Sequence, residues 1–100
     1  MDKYTNILKL EEIKRLTGLK KYDKALKIIE TLDVNKIRTM SDLTMFAEVY
    51  EKSGMLDESI RILLRVYERS GSRRIIYQLT RLNIRKRNLE EAERFYEEYL

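Results

Sequence analysis

Apolar residues fall three or four positions apart along this chain, and no stretch alternates every second position as a half-buried strand would. The spacing predicts helices near 3–17, 22–32, 42–52, 56–69, 73–86 and 89–100, an all-α chain paired into three hairpins. In the middle hairpin, Leu43, Phe46, Ala47 and Tyr50 form one stripe. Leu56, Ile60, Leu63 and Val66 or Tyr67 form the stripe that faces it. Start and stop signals agree. Thr39 with Asp42 has the spacing of a capping box, with Ser41 as the competing N-cap, and Asn88 with Glu91 opens the last predicted helix. Gly18, Gly54 and Gly71 read as turns between helices.

One short phrase occurs three times: Lys21-Tyr22-Asp23-Lys24-Ala25, Met55-Leu56-Asp57-Glu58-Ser59 and Asn88-Leu89-Glu90-Glu91-Ala92. The small residues that close it stand 34 and then 33 positions apart. A small side chain at Ala47 and Ser59 lets two helix backbones approach closely, so the recurrence marks the crossing point of each hairpin. A period of this length describes stacked hairpins, each too small to bury its own apolar face.

Composition narrows the functional classes. The chain has 100 residues, room for one core, and its 43% hydrophobic and 38% charged residues exclude both disorder and a membrane span. Nothing near the N-terminus reads as a signal peptide, which makes the cytoplasm the expected location. Cys, His and Pro are absent, removing thiol and imidazole chemistry, disulfides and the usual zinc ligands. With only three Gly there is no phosphate-cradling loop. The adjacent carboxylates Glu11 with Glu12, Glu90 with Glu91 and Glu97 with Glu98 diverge by about 100 degrees on a helix and do not converge on a substrate. The expectation is a non-enzyme without cofactor or metal.

These residues resemble the tetratricopeptide repeat, a bacterial-type helical repeat whose pattern the middle unit matches through Leu43, Phe46, Ala47, Tyr50, Ser59, Leu63 and Val66. The third unit offers Ile76, Leu79, Thr80, Ala92, Tyr96 and Tyr99, with Asn83 where an apolar residue belongs. The first fits through Tyr22, Ala25, Ile29 and Leu32, but its first helix contributes only Ile13 and Leu16. The resemblance implies one domain over 1–100, an α-α superhelix of three stacked antiparallel hairpins with a right-handed stack. Its repeats would cover about 3–37, 40–72 and 73–100. The segment 52–58 also looks like the RNA-reading pentatricopeptide relative, but the base-reading place holds Thr44 in one unit and Tyr77 in the next.

In proteins of this kind the first helix of each hairpin lines a concave groove. The groove residues implied here are Thr44, Met45, Glu48 and Glu51, then Arg74, Tyr77, Gln78, Arg81 and Arg85. Guanidinium forks beside an aromatic ring and an amide suit an acidic extended or helical peptide. The plainer alternative pairs Arg81 and Arg85 with Glu48 and Glu51. A carboxylate clamp found in some family members is not reproduced, since its places hold Leu10, Lys14, Met45, Arg74 and Gln78.

Charge supplies the rival function. Residues 61–87 hold eight Arg and one Lys against one acid, +8, whereas residues 88–100 hold five Glu and one Arg, −4. A basic repeat could bind nucleic acid through Arg61, Arg65, Arg69 and Arg85, although arginines every fourth residue also describe an ordinary solvated helix face. The apolar residues of 89–100 have no capping helix after them. The chain then reads either as the front of a longer repeat protein or as one that forms a homodimer through this terminal helix.

Overall fold

The computed structural model describes the backbone of residues 3–98 and the side chains of all of these except Lys3, Ala92, Phe95, Tyr96 and Glu98. Among the described residues there are five α-helices and no strand: α1 (Lys3–Gly18), α2 (Tyr22–Ile29), α3 (Met40–Lys52), α4 (Leu56–Ser70) and α5 (Arg73–Glu98). A single 3₁₀ turn, Val34–Lys36, lies in the connection from α2 to α3. No described helix is long and apolar enough to cross a membrane.

The first two turns are built alike. At the first, the Lys20 amide donates to the Thr17 carbonyl and the Lys21 amide to Leu16. At the second, the Gly54 amide donates to Glu51 and the Met55 amide to Tyr50. Both patterns satisfy the orphan carbonyls at a helix end, and both need a left-handed residue. Gly54 supplies it with φ 79, but in the first turn Lys20 does so with φ 59, while Gly18 remains helical. The expected role of Gly18 as the turn residue is therefore shifted by two positions. Gly71, at φ 60, ends α4 as its sequence position predicts.

Burial follows the helical stripes. Ile13, Leu16, Ala25 and Ile29 from the first hairpin join Leu43, Phe46, Ala47, Val49, Leu56, Ile62, Leu63 and Val66 from the second. Ala25 and Ser59 are wholly inaccessible, and the Ser59 hydroxyl donates to the Ala47 carbonyl across the α3–α4 crossing at 2.8 Å. The recurring phrase thus marks a close approach in both hairpins; the side chain of Ala92, its third occurrence, lies outside the described residues. Thr39 stands at the N-cap of α3 but its hydroxyl makes no capping bond, and the helix begins at Met40, before Ser41.

The expected break near residue 88 does not occur, and α5 runs straight through it. Arg87 occupies the place that Lys20 and Gly54 hold in the earlier phrases, and it stays helical. Nothing there favours a turn: Arg, Lys, Leu and Glu are good helix formers, and a left-handed Arg costs about 1–2 kcal/mol. Two ion pairs span the place, Lys86 to Glu90 at 3.9 Å and Arg87 to Glu91 at 3.4 Å, each weakly favouring the continuous helix.

The inward face of α5 also differs from expectation. Ile75, Leu79 and Leu82 are buried, whereas Ile76, Thr80 and Asn83 are exposed. In α3 the corresponding face, Leu43, Ala47 and Tyr50, is covered by α4. No described helix covers it in α5, so the helix turns its other apolar residues toward α4 instead.

Candidate partner-binding site

α3 and the first half of α5 border a cleft of about 240 Å³. Five residues inferred from sequence line it: Thr44, Glu48 and Glu51 from α3, Gln78 and Arg81 from α5. Lys52 completes its charged wall, and Ala47, Ser59 and Leu63 form its floor. Arg74 and Tyr77 are exposed one turn earlier on α5, and Tyr77, at 69% exposure, projects an aromatic ring into solvent. Met45 is a correction: it packs against the core and does not line the cleft.

Glu51 organises the charges. Its carboxylate is nearly buried and accepts both terminal nitrogens of Arg81, at 2.6 and 2.8 Å, and Nη1 of Arg85 at 3.3 Å. The Arg81 hydrogen bonds hold the Glu51 carboxyl below the ordinary carboxylate range, against the opposing effect of burial. The same contact raises the Arg81 guanidinium further. This matches the plainer reading of Arg81 and Arg85 for Glu51 but not for Glu48. Glu48 lies beside Tyr22, whose hydroxyl is pushed up by burial first and by the nearby carboxylate second.

Arg81 therefore acts as a strut between α3 and α5, with roughly half of its side chain still accessible. Arg85 keeps most of its donors open, and Arg74 makes no ion pair among the described residues. Around the buried Glu51 the cleft thus carries exposed Glu48, Lys52 and Arg81, with Arg85 beside them.

Of the four arginines proposed for nucleic acid, Arg61, Arg65 and Arg69 are engaged by the protein itself, and Arg85 is the exception. Arg65 donates to the carbonyls of Val34 at 3.2 Å and Ile37 at 3.1 Å, and Arg69 to that of Arg38 at 2.9 Å. Together they clasp the connection between α2 and α3, satisfying carbonyls that a chain outside regular structure leaves unpaired. Arg61 pairs with Glu58 one turn back on α4. Sequence spacing disclosed the stripe on α4 but not its acceptors, which lie about thirty residues away.

A second, more apolar depression lies on the opposite side of α5, between Leu64 and Tyr67 of α4 and Ile76, Thr80 and Ile84. No group of residues suited to holding a metal ion occurs among the described residues. Comparison with family models, with curated proteins and with solved structures finds no match for this chain.

Proposed function

We propose that this protein is a non-catalytic interaction module, a helical-repeat scaffold of the tetratricopeptide kind that holds a peptide along its concave side. The observation that carries this reading is the cleft between α3 and α5, where Thr44, Glu48, Gln78 and Arg81 converge from two successive units. Two hairpins closed by the same turn, 34 residues apart, support the repeat architecture. Because α5 is one continuous helix over Arg73–Glu98, the reading rests on two closed hairpins and the first half of α5.

An acidic peptide fits the cleft better than a basic one, because Arg74 and Arg85 offer unsatisfied donors around an already neutralised Glu51. Tyr77 adds a stacking or apolar surface beside them. A phosphate-backbone ligand is disfavoured by the engagement of Arg61, Arg65 and Arg69 with the protein itself.

The test is selection from a peptide library followed by fluorescence-anisotropy titration of the winners. Tyr77→Ala and Gln78→Glu should each weaken binding by about tenfold, the loss of one well-placed contact worth about 1.4 kcal/mol. Undiminished affinity in both variants, or an affinity falling steeply and linearly in log salt, would overturn the reading in favour of a nucleic-acid binder.

A further inference from the structure

Past Leu82, no described side chain of α5 is buried. Lys86 still pairs with Asp57 of α4 at 2.6 Å, and the eleven residues that follow Arg87, about 16 Å of helix, extend past that contact. This projecting length has two properties that bear on the concave side.

The first is its face. Arg81, Arg85 and Leu89 follow at intervals of four, and the sequence continues the same stripe with Ala92 and Tyr96. The side of α5 that borders the cleft is thus the side on which its second half carries its apolar positions. Leu89, the described member of that set, is half-exposed.

The second property is charge. Residues 73–87 hold six cationic side chains and no acid, +6, and residues 88–98 hold five Glu and one Arg, −4. A straight helix of this kind repels a parallel copy of itself and attracts an antiparallel one. With a two-fold axis near Arg87, the acidic half of each helix lies along the basic half of the other, and the contact closes after two chains.

We propose that the occupant of the concave side is a second copy of this chain. Residues 88–98 of each α5 lie antiparallel against Arg74, Tyr77, Gln78, Arg81 and Arg85 of the other. In that register Leu89 lies beside Arg85 of the other chain, and the glutamates on its flanks meet the guanidinium groups that Glu51 leaves unsaturated. The inference deepens the peptide-scaffold reading by naming the peptide, and it rests on the concave side being a binding face.

Charge exchange tests it. One variant carries Arg74→Glu and Arg85→Glu; the other carries Glu90→Lys, Glu91→Lys and Glu93→Lys. Sedimentation equilibrium of the full chain across the micromolar range should give a dimer. Each variant alone should dimerise at least about tenfold more weakly, and an equimolar mixture should recover the dimer as a heterodimer. Far-UV circular dichroism establishes that each variant is folded, and Leu89→Glu, which leaves every ion pair of the body in place, should also dissociate it. A monomer throughout the range, a dimer indifferent to Leu89→Glu, or no recovery in the mixture of folded variants would each overturn the proposal. A monomeric result would leave the cleft open to a foreign peptide, so it sinks the self-pairing alone.

Discussion

Ser59→Leu puts the close approach of α3 and α4 to a direct test. Ser59 is fully buried, and its hydroxyl bonds the Ala47 carbonyl at 2.8 Å, so no space exists for a branched side chain at that crossing. Overpacking costs about 1–3 kcal/mol and the lost hydrogen bond about 1 kcal/mol, giving a destabilisation of about 2–4 kcal/mol. At about 4–8 °C per kcal/mol for a domain of this size, Tm should fall by roughly 8–32 °C. Ser59→Ala separates the two contributions. It removes the hydroxyl without adding volume, loses about 1 kcal/mol and regains about 0.5 kcal/mol in helix propensity, for a fall of only a few degrees. Thermal and urea unfolding followed by circular dichroism measure both. A Ser59→Leu protein melting within a few degrees of the parent would show that the helices do not meet there, and the account of the recurring small residue would be wrong.

Glu51 should make stability dependent on pH. Its carboxyl is held low by Arg81, so its contribution is complete above the unfolded pKa of about 4.3 and is lost as pH falls through the lower folded value. Arg81 is half-exposed and screened by solvent, which limits the effect to about 1 kcal/mol. Urea midpoints of Glu51→Gln should lie below those of the parent at neutral pH and converge with them in acid; curves that stay parallel would refute the role. Lys20→Gly should raise Tm by a few degrees, since it relieves about 1 kcal/mol of left-handed strain at φ 59, and Gly54→Ala should lower it by at least as much. An unchanged Tm in both would contradict the shared turn geometry.

Much of this molecule is written locally and could be read locally. Helical periodicity, the crossing residues Ala25 and Ser59, and the left-handed glycines at 54 and 71 all depend on neighbours within a turn or two. Those interactions recur at fixed offsets, so spacing alone reveals them. The cleft was legible in outline for the same reason, because the outward face of a first helix follows from its inward one.

What the tertiary structure decided concerns partners distant in sequence and energies too close to rank by eye. Glu51 meets Arg81 thirty residues on, and Arg65 finds the Val34 carbonyl thirty-one residues back. Residue spacing left Arg81 with both Glu48 and Glu51 as partners and pointed to no acceptor for Arg65; how the helices pack decided both. Which apolar face α5 buries, Ile75 with Leu82 or Ile76 with Asn83, depended on whether another helix covered the second set. That in turn hung on Arg87, where a left-handed turn without glycine competes against helix propensity and two weak ion pairs. A difference of about 1–2 kcal/mol separates a hairpin from a straight rod, and it is below what residue types by themselves resolve.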